Sequence, residues 1–140
     1  MDASYAWLVS DPIDRDVQEF AHRMFDLARS GDVLQLAAYV DAGLPVNLTN
    51  DKGDTLLMLA TYHNHPEAVR ALVALGADVR RVNDRGQTAL AAAVFRRSTE
   101  SVTTLLDAGA DPLDGAPSAI EMANFFDLPE MMQLLRRDRA

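Results

Sequence analysis

Apolar residues recur along this chain at the spacing of a helix, in short segments that each end at a glycine. Two segments carry the same apolar spacing: Val69, Leu72 and Val73, then Val102, Leu105 and Leu106. Steps of three and four residues place these side chains on one helical face. Gly76 and Gly109 follow the two segments, where a glycine is typical of a helix end. The pattern therefore predicts several short helices and no strands.

The segments are parts of an internal repeat with a period of 33 residues, the separation of Gly53 and Gly86. Segments 50–60 and 83–93 carry Asn, Asp, Gly, Thr, Leu and Ala in the same order. Two further markers keep this period: Gly43, Gly76 and Gly109, and the pairs Gly31-Asp32, Asn64-His65 and Arg97-Ser98. Such a period is the signature of a repeat architecture, in which each unit buries its apolar face against its neighbours.

Each unit contains the signals for a turn followed by two helices. Gly53 and Gly86 lie where a tight turn needs positive φ. The expected N-caps of the first helices are Thr55, Thr88 and Ser118, the last of which forms a capping box with Glu121. The second helices begin after Asp32, His65, Ser98 and Leu128, and Pro66 and Pro129 occupy first-turn positions.

This unit closely resembles the ankyrin repeat, through Gly-x-Thr-x-Leu-x-x-Ala at 53–60 and Gly-Ala-Asp at 76–78. The resemblance covers about residues 20–136 and implies an all-α fold, an α-solenoid of about four stacked helix-turn-helix repeats including both caps. We expect an N-terminal tail at 1–10 and an ankyrin-repeat domain at 11–140. Its repeats are expected at about 11–49, 50–82, 83–112 and 113–140. The chain departs from the family by placing Leu56, Met58, Ala89 and Ala91 where the family has proline and histidine.

The two end units read as caps. A first helix is predicted over residues 12–29, with one apolar stripe: Ile13, Val17, Phe20, Ala21, Met24, Leu27 and Ala28. The last unit is three residues shorter, and Ala116 replaces its turn glycine. Residues 1–10 are either a loose tail or a segment that packs on the domain through Tyr5 and Trp7, and the sequence leaves both interpretations open.

Composition narrows the class of function. The chain has 140 residues, 49% of them hydrophobic and 24% charged, which suits one globular domain. Its 13 basic and 21 acidic side chains give a formal charge of −8, which argues against nucleic-acid and anionic-membrane binding. There is no cysteine and no apolar run long enough for a membrane span, so a cytoplasmic location is expected.

No sequence pattern indicates a catalytic site, a metal site or a cofactor site. The sequence contains neither a Gly-x-Ser-x-Gly elbow, nor a phosphate-binding glycine loop, nor a His-Glu-x-x-His pair. His63 and His65 lie across a helix-to-helix corner, which does not match zinc-site spacing, and His65 is expected to be structural. We therefore expect a protein that is not an enzyme and needs no cofactor.

The resemblance implies that a partner protein binds the concave face, which the turn tips and the exposed side of the first helices form. The candidate contact residues are Arg29, Asp51, Lys52, Asp54, Tyr62, His63, Asp84, Arg85, Gln87, Phe95, Arg96 and Phe125. Tyr62, Phe95 and Phe125 hold equivalent positions, so a ladder of rings is predicted there. The ladder is either an interface or additional packing between repeats.

The resulting hypothesis is an adaptor or inhibitor that binds another protein, as a monomer, with a homo-oligomer left open. Two alternatives stay open. One is a self-associating structural protein that uses Phe125, Phe126, Met131 and Met132. The other is an acidic decoy or immunity-type inhibitor that directs its negative charge at a basic enzyme. The identity of the partner does not follow from the sequence.

Overall fold

The computed structural model describes residues 12–137, and their side chains from residue 15 onward. This part of the chain contains eight α-helices and no strands. The helices are α1 (Pro12–Ser30), α2 (Val33–Asp41), α3 (Leu56–Tyr62), α4 (Pro66–Ala74), α5 (Ala89–Phe95), α6 (Thr99–Asp107), α7 (Ala119–Phe125) and α8 (Pro129–Leu135). The predicted tail at 1–10, with Tyr5 and Trp7, lies outside the described residues.

The helices form two layers. The first helices α1, α3, α5 and α7 pack one after another, and the second helices α2, α4, α6 and α8 pack in the same order beside them. Loops join successive helix pairs, and isolated antiparallel bridges such as Thr49–Thr55 and Val82–Thr88 close them. The all-α solenoid predicted from the repeat is therefore confirmed.

Side-chain caps start most of the helices. The hydroxyls of Thr55, Thr88 and Ser118 accept hydrogen bonds from the third amide of α3, α5 and α7, at 3.1 Å in each case. Glu121 returns the bond to the Ser118 amide at 3.0 Å, which completes the capping box. In contrast, α4 and α8 have no side-chain cap and begin at proline, which has no N–H to satisfy. All these starts are confirmed predictions.

The corner between the two helices of a unit needs one residue with positive φ. Gly31, Asn64, Arg97 and Asp127 fill this position, with φ between 52° and 72°. At Gly31 the next repeat comes close, because a β-carbon there would lie 2.6 Å from the His65 ring. The His65 Nε2 atom is 2.7 Å from a backbone carbonyl oxygen at the end of α1. The expected structural role of His65 is thus confirmed.

The core lies between the two layers and continues through the whole stack. Ala60, Ala93 and Ala123 are at equivalent positions of α3, α5 and α7 and are fully buried or nearly so. Their small side chains allow the layers to approach closely, and larger residues fill the space around them. The largest buried apolar side chains are Met24, Leu36, Leu56, Leu57, Val69, Leu72, Leu90, Val94, Val102 and Leu105.

The long first helix is confirmed, since α1 has 19 residues where α3 has seven. Its predicted apolar stripe needs two corrections. Val17 is 60% exposed, because the beginning of α1 extends beyond the reach of the shorter α3. Phe25 is buried although the stripe omitted it. The side chain of Ile13 lies outside the described residues.

Candidate partner-binding groove

A groove of about 420 Å³ runs between the loop tips and the exposed side of the first helices. Its floor repeats along the stack, because Leu59, Ala92 and Met122 occupy equivalent positions of α3, α5 and α7. Met58 and Ala91 add to this apolar floor. The remaining lining residues are Arg29, Asn50, Lys52, Asp54, Tyr62, His63, Asn83, Arg85, Gln87, Thr88, Phe95 and Pro117.

The groove brings together eight of the twelve candidate residues: Arg29, Lys52, Asp54, Tyr62, His63, Arg85, Gln87 and Phe95. Four others do not line it. Asp51 and Asp84 lie at the outer side of the tips, and both are exposed. Arg96 is at the rim, while Phe125 borders a second cavity at the C-terminal end of the stack.

The ring ladder is present in a different register from the one predicted. Tyr62 and Phe95 stack in parallel, with ring centroids 6.2 Å apart and an interplanar angle of 6°. The next rung is Phe126, which meets Phe95 edge to face at 6.0 Å. Phe125, the predicted rung, is 80% exposed, and its ring meets that of Phe126 edge to face at 5.0 Å. The prediction that Phe125 forms the rung beside Phe95 was therefore wrong, because Phe126 takes that position.

The reason is a contact that recurs between neighbouring repeats. In α5 and α7, the residue that caps the C-terminus of the helix reaches back to the last residue of the preceding first helix. Arg96 does so at Tyr62, where its guanidinium lies 5.4 Å from the ring centroid and its Nε donates to the Tyr62 carbonyl. Phe126 does so at Phe95, and thereby occupies the place that Phe125 would need.

Asp54 differs from its expected role as an exposed tip contact. Its side chain is 9% exposed, and its carboxylate accepts a 2.7 Å hydrogen bond from Asn83 Nδ2 in the next repeat. Asn83 also donates to Gln87 Oε1 and accepts from the amides of Arg85 and Gln87. A further backbone bond joins the Asp84 amide to the Lys52 carbonyl at 3.0 Å. Asp54 therefore holds the tips together.

Positive charge dominates the groove wall. Lys52 and Arg85 occupy equivalent tip positions, and Arg29 closes the first-repeat end. Burial lowers the pKa of His63, and the nearby charges of Arg29 and Arg96, with a smaller effect of His65, lower that pKa further. The His63 imidazole is thus disposed to be neutral in a region of positive potential.

The floor of the groove was not predicted from the sequence. Leu59, Ala92 and Met122 each precede a ring position by three residues, namely Tyr62, Phe95 and Phe125. Because residues three apart lie on the same helical face, this spacing was a signal that could have identified them. Asn83 carried no such signal, since its role depends on contact with the preceding repeat.

Among residues 12–137, no group of three or more His, Asp or Glu side chains is arranged to hold a metal ion. Within the same range, none of the helices combines the length and the apolar character needed to cross a membrane.

The two-layered stack and its groove define an α-helical repeat solenoid. The family model for ankyrin repeats (3 copies) matches residues 24–115. Since that match covers more than half of the chain, the protein belongs to the ankyrin repeat family. Ankyrin repeats are generally protein–protein interaction modules, and the family is a non-catalytic interaction fold.

Two relatives show how far the likeness extends. The chain is 53% identical over 58 residues to an ankyrin repeat protein of Pseudomonas aeruginosa, a match that covers 41% of this chain and 34% of the relative. It also resembles the crystal structure of the human ASB11 ankyrin repeat domain, with 29% identity and a TM-score of 0.72. That match covers 80% of this chain and 52% of the human chain. The chain thus spans about half or less of these relatives.

Proposed function

We propose that the chain is a non-catalytic module that binds a segment of another protein in the concave groove, and so acts as an adaptor or an inhibitor. The observation that carries the proposal is the half-exposed ring pair at the groove wall. Tyr62 is 49% exposed and Phe95 39%, although both rings stack on each other. Packing between repeats therefore uses only part of each ring and leaves the rest toward solvent.

The surroundings of the rings support an interface. Aromatic residues and arginine are the side chains most enriched among residues that dominate binding energy. Here two rings lie beside an apolar floor, with Arg29, Arg85 and Arg96 around them. A partner side chain placed on this floor would cover the exposed surface of the rings. The polar groups of the tips could at the same time form hydrogen bonds with the polar groups of the partner segment.

The test uses three baits for affinity purification from the native cells: the unaltered chain, Tyr62→Ala/Phe95→Ala, and Leu34→Ala/Leu113→Ala. The control pair removes two large apolar side chains that are 85% and 71% exposed and do not line the groove. We expect a partner that the unaltered chain and the control recover equally, and that the ring variant loses by at least about tenfold. Equal recovery on all three baits would contradict the proposal, provided that circular dichroism shows the ring variant to be folded.

Self-association is a second candidate, favoured by one observation at the C-terminal end. Phe125 is the most exposed ring among the described residues and borders a cavity of about 610 Å³ together with Phe126 and Met122. Met131, which was expected to contribute, is buried, and Met132 is partly buried. Sedimentation of the chain and of Phe125→Ser at high concentration decides the matter. A monomer in both cases excludes this candidate.

The acidic-decoy alternative predicts that the partner-binding surface is negative. Among the charged residues that line the groove, Arg29, Lys52 and Arg85 outnumber the nearly buried Asp54, while Asp51 and Asp84 are exposed at the tips and do not line it. We therefore favour the groove-binding module over the decoy.

A further inference from the structure

In the described part of the chain, two cations of the groove wall, Lys52 and Arg85, form no ion pair, whereas a third, Arg29, pairs with Asp26 at 2.8 Å. Arg70, Arg80 and Arg81 lie outside the groove, and each forms an ion pair with a carboxylate within 4 Å. Among the described residues, none of the ion pairs involves Lys52 or Arg85. The fold thus leaves two equivalent cations of neighbouring repeats side by side without an acidic partner.

The rim adds two further arginines that use rings in place of carboxylates. The Arg96 guanidinium lies over Tyr62, and that of Arg97 lies 5.6 Å from the Phe126 ring centroid. A guanidinium on an aromatic face keeps its charge and most of its N–H donors. These arginines can therefore still bind a carboxylate from a partner while the ring holds them in place.

Acidic side chains do not cancel this charge within the groove. Asp54 is the one carboxylate among the described lining residues, and it is nearly buried and bonded to Asn83. Asp84 lies at the tip, with its Oδ1 close against the backbone of Gly53, and is not part of the lining. Burial is the main cause of the lowered pKa of His63, and the charges of Arg29 and Arg96 lower that pKa further.

The dimensions of the groove indicate an extended chain. Its lining reaches from Arg29 in the first unit to Met122 in the fourth, so it spans three helix-to-helix steps. At about 8–10 Å per step and about 3.3 Å per extended residue, this length accommodates roughly seven to nine residues. The small side chains of Ala91 and Ala92 leave space beside the rings for a large side chain of the ligand.

We infer that the groove selects an extended, acidic segment of a partner protein, with at least one large apolar side chain that lies on the Tyr62–Phe95 wall. This inference rests on the proposed function and adds the chemistry of the ligand. The carboxylates of the segment pair with Lys52 and Arg85, which have no acidic partner of their own. A nucleic acid is disfavoured because the chain as a whole carries a charge of −8.

The experiment selects ligands from a displayed library of random peptides of about nine residues, the length estimated from the groove. The baits are the unaltered chain, Lys52→Glu/Arg85→Glu, and the matched control Arg70→Glu/Arg81→Glu, which changes the net charge by the same amount. The best peptides are then titrated against all three proteins at about 0.15 M salt, where exposed charges act over only about 8 Å. A single-stranded oligothymidylate is titrated in parallel.

The unaltered chain and the control should enrich peptides rich in Asp and Glu that also carry a Phe, Tyr, Trp or Leu. The groove variant should bind the selected peptides at least about tenfold more weakly, and the control within about twofold. Three outcomes overturn the inference: neutral or basic selected peptides, equal binding to the groove variant, or tighter binding of the oligonucleotide. Failure to enrich any peptide also counts against it.

Failure of this inference is distinguishable from failure of the proposed function. If Tyr62→Ala/Phe95→Ala loses the native partner while Lys52→Glu/Arg85→Glu retains it, the groove binds a protein segment and only the acidic chemistry is wrong. If neither variant loses the partner, both proposals are wrong.

Discussion

Asn83 is the side chain on which the geometry of the groove wall depends most. It is 7% exposed and makes four hydrogen bonds, at 2.7 and 2.9 Å through its Nδ2 and at 3.0 and 2.8 Å through its Oδ1. One of these reaches Asp54 in the preceding repeat, and the others shape the loop that carries Arg85 and Gln87. Asn83→Ala removes all four hydrogen bonds and leaves the nearly buried Asp54 carboxylate without its short hydrogen bond to the next repeat.

The expected cost follows from the kind of bond that is lost. A neutral hydrogen bond contributes about 1 kcal/mol and one to a charged group about 1.5–3 kcal/mol, but water replaces part of the bonding at the exposed Arg85 and Gln87 amides. We therefore expect Asn83→Ala to lower the free energy of unfolding by about 2–4 kcal/mol. Asn50, at the equivalent place one repeat earlier, has two short bonds to amides and one of 3.5 Å to Asp54. Asn50→Ala should cost only about 1–2 kcal/mol.

Urea unfolding followed by circular dichroism measures both variants. With a slope of about 2 kcal/mol per molar urea, a loss of 3 kcal/mol moves the midpoint down by about 1.5 M. A double-mutant cycle with Asp54→Ala isolates the bond between repeats, and we expect a coupling energy of about 1–3 kcal/mol. The reasoning is refuted if Asn83→Ala costs no more than Asn50→Ala, or if the coupling energy is close to zero.

Two further predictions test the charge and the ring register of the groove. Because the folded protein lowers the pKa of His63, the unfolded chain takes up the proton first as the pH falls, so stability declines from about pH 7 through the ordinary histidine pKa of about 6.5. His63→Gln should flatten this decline in urea unfolding at pH 7.5, 6.5 and 5.5, and parallel profiles would contradict it. Phe126→Ala should cost about 1–2 kcal/mol of stability, and Phe125→Ala less than about 0.5 kcal/mol. A larger loss of stability for Phe125→Ala than for Phe126→Ala would show that Phe125 is the rung beside Phe95.

The fold followed from the sequence because its signals are local. Turn glycines such as Gly53, caps such as Thr88 and first-turn prolines such as Pro66 act within a few residues, and the 33-residue period repeats each signal. A stack of similar units then leaves little choice of topology.

The site was less predictable, because its details depend on contacts between repeats. Phe95 and Phe125 occupy equivalent positions in the sequence. However, the residue that follows α7, Phe126, contacts Phe95 of the preceding repeat and takes the place on the ladder. Asp54 is polar and adjacent to a turn, so it was predicted to be exposed at a tip. In the structure, Asn83 of the next unit covers it. A sequence pattern identifies equivalent positions and does not show which neighbour fills the space between them.

The methionine methyl groups provide the most direct test of the central claim, that the groove is the binding surface and that its ligand is an acidic segment. Met58 and Met122 lie on the groove floor, whereas Met24 and Met131 are buried away from it. Methyl-labelled methionine gives each a separate NMR signal, which is followed during titration with the acidic peptide selected above. The account predicts shifts for Met58 and Met122 while Met24 and Met131 stay in place. Shifts confined to Met131, or none at saturating peptide, would contradict it.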